Sequence, residues 1–159
     1  MTRSGFGRSL AAGLAGGAAG ATALTAVTYL DMAWRGRPAS SSPEQVVEKL
    51  AGKTGMQIPG DGQTRENRLT GLGSLMGIAA GIGVGVALVS LRAVGIRPGV
   101  LTSAALAGAG AMAASDVPLA VLKISDPRAW SRTEWLSDII PHAAYGLVTA
   151  LVVKGVARR

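Results

Sequence analysis

The chain has 159 residues, of which 48% are apolar, 23 are glycine and only 4% are aromatic, and its formal net charge is +7. It contains no cysteine, which excludes a disulfide framework and thiolate metal sites. The basic residues stand singly at the ends of apolar blocks and form no basic patch interleaved with aromatic residues. The positive charge therefore does not indicate a nucleic-acid partner.

Four apolar blocks of between 18 and 25 residues dominate the sequence, and the only charged residues inside them are Asp116 and Asp138. At about 1.5 Å per residue, helices of this length are able to cross a hydrocarbon core of roughly 30 Å. A soluble bundle would need polar faces at helical spacing, which the first three blocks almost lack. We predict an all-α polytopic protein of the lipid bilayer, with one membrane domain over 1–159. Its predicted spans are 9–33, 67–92, 98–122 and 134–154.

The first block has two interpretations. Arg3 and Arg8 precede it, and Ala21-Thr22-Ala23 has the small-residue pattern of a signal-peptide cleavage site. Cleavage there would leave Leu24 to Leu30 as an isolated apolar stub. We therefore expect an uncleaved first span.

The distribution of charge predicts the topology. If the N-terminus is inside, all the basic residues of the cytoplasmic face lie in short segments, and these segments contain no acidic residue. This density favours a bacterial inner-membrane protein with both termini in the cytoplasm. The three tryptophans fall at the opposite, outer ends of the spans, where amphipathic rings prefer the headgroup region. The basic residues are Arg3, Arg8, Arg92, Arg97, Lys154, Arg158 and Arg159, and the tryptophans are Trp34, Trp130 and Trp135.

Small residues recur at every fourth position in three of the spans. In water each glycine of such a row would cost about 1 kcal/mol relative to alanine, whereas in lipid it lets a neighbouring helix approach closely. We predict that the first two spans pack on each other through their glycine rows, although an Ala/Gly-rich genome would also produce such rows by chance. The predicted packing residues are Gly73, Gly77, Gly81 and Gly85 on the second span and Gly13 and Gly17 on the first. A further row on the third span comprises Ser103, Ala107, Ala111 and Ser115.

The loop over 35–66 contains a predicted short amphipathic helix at about 43–53. Ser42 is its expected cap, with Pro43 at the first helical position, and glycines at 52 and 55 supply stop signals. Its apolar residues share one face, so that we expect it on the membrane surface or over the bundle. Thr64 is the expected cap of the second span, and Ser131 with Glu134 forms a predicted capping box before the fourth.

Three aspartates lie within or at the ends of spans, where a buried charge is costly. Asp31 ends the first span, Asp116 lies in the third and Asp138 begins the fourth. At 100° per residue, the polar residues of the fourth span stay within a sector of about 60° that we expect to face into the bundle. This polar stripe comprises Asp138, His142, Tyr145 and Thr149.

These polar residues allow a structural and a functional interpretation. In the structural one, Asp31 pairs with Arg35, Asp138 pairs with His142, and Asp116 caps a helix or meets Arg65 or Arg68. In the functional one, they form a pocket in the outer leaflet that exchanges protons or binds a cation or a headgroup. The candidate pocket residues are Asp31, Asp116, Asp138, His142 and Tyr145.

Sequence motifs of enzymes are almost absent. There is no G-x-S-x-G, no P-loop and no metal-binding His pair, and Gly81-x-Gly83 lacks the third glycine of a dinucleotide motif. We therefore expect a protein that is not an enzyme and has neither a cofactor nor a metal. A lipid-modifying enzyme that uses Asp138 and His142 is the remaining enzymatic alternative.

Two resemblances accompany these features. The second span, the loop with Arg97-Pro98, and Asp116 resemble the rotor subunit of ATP synthase. That family has two helices, whereas four spans are predicted here, and its loop carries a polar amide that this chain lacks. We therefore interpret the likeness as convergent packing. Through its Gly-rich spans, Trp34-Arg35-Gly36-Arg37-Pro38 and Pro141-His142-Ala143-Ala144-Tyr145-Gly146, the chain is similar to small four-span membrane proteins of high-GC Gram-positive bacteria. That resemblance implies the fold and carries no activity.

The sequence thus gives two functional hypotheses. The first is a non-enzymatic membrane subunit that forms a homo-oligomer or supports another membrane protein, because close-packing surface is the strongest signal. The alternative is a component of a proton- or cation-linked transporter or channel, with Asp116, Asp138 and His142 as its polar site.

Overall fold

The computed structural model describes residues 3–157, and within that range helices are joined by turns and loops and no strand is present. Four of its five α-helices are long and apolar enough to cross a membrane, which confirms the predicted all-α, four-span architecture. The α-helices are α1 (Arg3–Arg35), α2 (Ser42–Thr54), α3 (Gly62–Ala93), α4 (Val100–Val121) and α5 (Arg132–Ala157), and a short 3-10 turn covers Pro127–Ala129.

The four long helices form an antiparallel bundle. α1 packs against α3 on one side and α5 on the other, α5 packs against α4, and α3 and α4 close the ring with a smaller contact. One end of the bundle carries the start of α1, the end of α5 and the turn between α3 and α4, and we call it the termini end. The other carries α2 and the turn between α4 and α5, and we call it the α2 end.

The short helix α2 packs against α3 and touches α4. Of the two placements expected from its apolar face, it therefore takes the one over the bundle, with Val46 and Ala51 buried. Its N-cap is Ser41 rather than the predicted Ser42, because the Gln45 amide bonds the Ser41 carbonyl at 3.1 Å and the Gln45 side chain bonds the Ser41 hydroxyl at 3.1 Å. The helix ends at Gly55, whose φ of +71° is the left-handed conformation that glycine adopts without strain.

The beginnings of α3 and α5 illustrate two kinds of start signal. α3 begins at Gly62 after the N-cap Asp61, so that the cap predicted at Thr64 is wrong, and the Thr64 amide instead donates to the Asp61 carbonyl at 3.1 Å. At α5 the predicted capping box is confirmed. The Ser131 amide donates to the Glu134 carboxylate at 2.7 Å, and the Glu134 amide donates to the Ser131 hydroxyl at 3.3 Å.

The apolar core lies between the middle of the bundle and the termini end. Small and β-branched residues dominate it, which lets the four helices approach closely there. One aromatic ring, that of Tyr145, is fully buried at the boundary of this core. The cluster comprises Ala12, Leu88, Val89, Ala107, Ala111, Tyr145 and Val153.

Candidate functional site

The glycine rows of α1 and α3 meet each other within one chain. A Cβ added at Gly17 would lie 2.7 Å from the carbonyl oxygen of Gly81 and 2.7 Å from the Cα of Ile82. A Cβ at Gly85 would lie 2.7 Å from the Cα of Gly17, and one at Gly13 would lie 3.0 Å from the Gly85 oxygen. Real Cβ atoms do not approach backbone this closely, so that these positions require glycine for the observed α1–α3 spacing.

The other two glycines of the α3 row behave differently. Gly73 lies under the first turn of α2, where an added Cβ would be 3.0 Å from the Cβ of Pro43. Gly77 is exposed, and an added Cβ would meet no atom within 4 Å, so that the packing predicted for it does not occur within the chain. The reason is geometric. Positions four apart drift by about 40° around a helix, so that a row of four glycines cannot face one neighbour along its whole length.

Two further close contacts were not predicted, and both involve α5. Gly16 and Gly20 of α1 lie against Thr149 and Tyr145. A Cβ at Gly146 would lie 2.8 Å from the amide nitrogen of Gly108, so that α4 and α5 also meet at glycine. The sequence signal for this contact is weak, because neither Gly108 nor Gly146 belongs to a row of glycines at four-residue spacing.

The polar stripe of α5 faces the other helices. Tyr145 and Thr149 are fully buried, His142 is 8% exposed and Asp138 is half-buried. The Tyr145 hydroxyl donates to the carbonyl oxygen of Gly81 on α3 at 2.6 Å. Tyr145 thus lies a turn deeper than His142 and links α5 to α3 across the bundle.

His142 is held in a defined tautomer by its neighbours one turn earlier. Its Nδ1 lies 2.8 Å from the backbone carbonyl oxygen of Asp138 and 3.2 Å from the Asp138 Oδ1. A carbonyl oxygen only accepts, so that Nδ1 carries a proton and, in the neutral ring, Nε2 is left with a lone pair. That nitrogen lies 3.5 Å from the Ser115 hydroxyl of α4.

Ser115 connects His142 to Asp116. Its hydroxyl lies 3.0 Å from the Asp116 Oδ1 and 2.9 Å from the carbonyl oxygen of Met112. Asp116 is half-buried and lies within electrostatic range of both Asp138 and His142. The structure therefore brings together Asp116, Asp138 and His142 of the candidate residues. It adds Ser115, which the sequence indicated only as a packing residue.

This polar cluster, defined as Ser115, Asp116, Asp138 and His142, has more acceptors than donors. The Nδ1–H of His142 serves the Asp138 carbonyl and Oδ1, and the single hydroxyl proton of Ser115 can serve only one of its several acceptors. Asp138 Oδ2 is buried and has no hydrogen-bond partner among residues 3–157. A buried acceptor without a donor is costly, and a proton or a donor bound at Asp138 Oδ2 would remove that cost.

Asp31 belongs to a separate group at the α2 end. Its carboxylate accepts from Arg35 Nε at 2.6 Å and from Arg37 Nε at 2.6 Å, and Arg35 also donates to the Ser137 hydroxyl at 2.6 Å. The pairs Asp31–Arg35 and Asp138–His142 of the structural interpretation are both present. The pairing considered for Asp116 with Arg65 is not, because Arg65 instead pairs with Glu48 at 2.6 Å.

Comparison of the chain with family models, with curated proteins and with solved structures gives no match. Across the described part of the chain, no group of three or more His, Cys, Asp or Glu has the arrangement to hold a metal ion. What the polar cluster can do is therefore inferred from the chemistry of its own residues.

Proposed function

We propose that this helical membrane protein binds and releases a proton at the polar cluster, as a component of a proton-linked transporter or channel. The observation that carries the proposal is the buried Asp138 Oδ2, which lacks a donor beside a histidine whose Nε2 has only the Ser115 hydroxyl, at 3.5 Å, as a partner. Charged groups at membrane depth are expensive and are kept where they line a proton or ion path. A proton arriving at this cluster supplies the missing donor.

The shape of the bundle near the cluster supports access to it from the α2 end. Gly77 and Gly81 lie on one row of α3, about 40° apart around the helix. Gly81 receives the Tyr145 hydroxyl, whereas Gly77, one turn nearer the α2 end, is exposed with open space over its Cα. His142 lies one turn from Tyr145 in the same direction. The cluster therefore lies just beyond the level at which α1 and α3 close on each other, and α4 still contacts α5 at the His142 backbone, 2.9 Å from a Cβ added at Gly108.

The ligand chemistry favours a proton over a metal cation. Asp138 and His142 already use Oδ1 and Nδ1 on each other, and metal ligation by His142 would have to come from Nε2, 3.5 Å from Ser115. Metal ions need several oxygen or nitrogen ligands converging at about 2.0 to 2.6 Å. A proton needs only one acceptor, which Asp138 Oδ2 or Nε2 provides.

The proposal is tested by proton flux. The purified chain is reconstituted in liposomes that contain a pH-sensitive dye, and a potassium diffusion potential drives uptake. We expect uptake by the parent and none above protein-free liposomes for Asp138→Asn and Asp116→Asn. Asp61→Asn is the matched control, because Asp61 caps α3 without a side-chain hydrogen bond and lies outside the cluster. Flux absent in the parent, or flux that survives in both cluster variants, would count against the proposal.

A second candidate function is the non-enzymatic subunit that packs on another chain. The observation that favours it is on α4, where Ala105, Ala109 and Ala113 form an exposed row at four-residue spacing opposite the buried Ser103 and Ala107. Exposed small residues at this spacing suit close packing of another membrane helix. The four glycines that join α1 to α3 are occupied within one chain and are not available for this role.

The two functions are separated by their variants. For the subunit, Ala109→Leu should dissociate the assembly in crosslinking experiments in bilayers, while Ala87→Leu on the exposed side of α3 should leave it intact. A monomeric parent, or an assembly unaffected by Ala109→Leu, would rule out this use of α4. For the proton-linked protein, neither alanine variant should change proton uptake.

A further inference from the structure

A groove lies at the termini end, far from the polar cluster. It has a volume of about 590 Å³, is open on one side, and is lined by Arg8 of α1 and by Val152, Gly155 and Val156 of α5. Its floor is apolar and its single charge is a guanidinium. The groove is shallow, and most of it is open to the surroundings of the bundle.

The charges around the groove are of one sign. The described basic residues at the termini end are Arg8, Arg92, Arg97 and Lys154, and the adjoining segments contain no Asp or Glu. Arg92 Nε is buried and has no hydrogen-bond partner within residues 3–157. An arginine at a membrane surface without a carboxylate nearby is suited to bind phosphate, to which the guanidinium fork donates two hydrogen bonds.

We propose that this groove binds one anionic phospholipid, with its headgroup phosphate at Arg8 and an acyl chain along Val152 and Val156. Two features select this occupant. Charge complementarity favours an anionic headgroup over a zwitterionic one, because no acidic side chain is available at this end for the positive group of a zwitterion. Gly155 keeps the groove open, since an added Cβ there meets no atom within 4 Å. The inference does not depend on proton binding at the polar cluster.

The test uses spin-labelled phosphatidylglycerol and phosphatidylcholine with the full chain in liposomes, and measures the fraction of each label whose motion the protein restricts. We expect the parent to prefer phosphatidylglycerol. Arg8→Gln should lower that preference about fivefold, the effect of one basic residue near an anionic surface. Gly155→Leu should lower it by filling the groove without a change in charge.

Matched controls come from the same chain. Arg128→Gln removes a basic residue at the α2 end, and Gly71→Leu fills equally open space on α3, and both should leave the preference unchanged. Equal restriction of the two labels by the parent would overturn the proposal. So would a loss of preference in Arg8→Gln that Gly155→Leu does not share, because that result would assign the preference to surface charge outside the groove. Helical circular dichroism of each variant shows that the bundle is intact.

Discussion

The two halves of the bundle are built on opposite principles. From Tyr145 to the termini end, which we call the closed half, helices touch through glycine backbone, as at Gly17 with Gly81 and at Gly108 with Gly146. From His142 to the α2 end, which we call the open half, the interior carries the polar cluster, and Gly77 faces open space. Both halves are made from the same four helices and from the same glycine row of α3.

This difference shows that a glycine's role depends on what lies opposite it. In the closed half the absence of a side chain allows contact between backbones, where dispersion and Cα–H···O contacts replace the hydrophobic drive that lipid lacks. In the open half the same absence leaves room at Gly77, whereas Gly73 packs under the first turn of α2. The proton site proposed above would need water on one side and a seal on the other, and we propose the level of Tyr145 as the boundary between the two.

The largest effect expected from this comparison is in thiol labelling. The chain has no cysteine, so that single substitutions are clean probes. Thiols react as thiolates, which form only where water reaches. Gly77→Cys should be labelled nearly completely by a membrane-impermeant thiol reagent, because Gly77 is exposed one turn nearer the α2 end than Gly81, whose carbonyl accepts from Tyr145.

The matched position is Gly83, which is also exposed and also has open space over its Cα, but lies on the outer side of α3 within its apolar run. Gly83→Cys should stay unlabelled, because lipid rather than water surrounds it. Ser41→Cys, in the exposed loop, is the positive control. Equal labelling at 77 and 83, or none at 77, would show that the two halves do not differ in water access.

The second largest effect is on stability. Gly85→Ala places a methyl group 2.7 Å from the backbone of Gly17 and should force α1 away from α3. Overpacking of this kind costs about 1 to 3 kcal/mol in the free energy of unfolding. Gly77→Ala adds the same methyl group into open space and should change the free energy little. Reversible unfolding in mixed micelles measures both, and a larger loss at 77 than at 85 would contradict the assignment of the halves.

Much of this architecture follows from the sequence, and what does not follow has physical causes. Block length and the absence of charge define four membrane helices, and a capping box defines the start of α5. Periodicity places His142 on the same side of α5 as Tyr145. Periodicity does not show which helix lies opposite this side of α5, because helices pack by surface shape. A row of residues four apart also drifts by about 40° per step, so that Gly73, Gly77 and Gly81 lie in three different environments.

The polar residues show the same limit. Asp31 pairs with Arg35 and Arg37, whose side chains donate to its carboxylate at the end of α1, and it is not part of the polar cluster. Ser115 joins the cluster because α4 and α5 approach at Gly108 and Gly146, which no sequence pattern marked. Local spacing therefore predicted the pairs within one helix, and the glycine rows predicted that the first two spans meet, whereas the contact of α4 with α5 came only from the structure.

A smaller effect on the free energy of unfolding is expected at Tyr145, the boundary between the two halves. Tyr145→Phe keeps the ring in the core and removes the donor to the Gly81 carbonyl. Loss of one such hydrogen bond in a membrane protein costs about 1 kcal/mol in the free energy of unfolding. Tyr29→Phe is the control, because Tyr29 is 62% exposed on α1. Equal effects of the two substitutions would mean that Tyr145 does not close the bundle through its hydroxyl.

The smallest effect on proton uptake and stability is expected for substitution of Asp31. This prediction distinguishes two parts of the open half, the Asp31 group and the polar cluster. Asp31 and Asp138 each have a basic partner four residues later, but only Asp138 has a buried oxygen without a donor. Asp31→Asn should therefore leave proton uptake at the parental rate, whereas Asp138→Asn abolishes it. The pairs of Asp31 with Arg35 and Arg37 are partly exposed, and salt screens such pairs, so that stability should change little. Loss of uptake in Asp31→Asn would instead extend the proton path to the end of α1, with Arg35 and Ser137 as its link to α5.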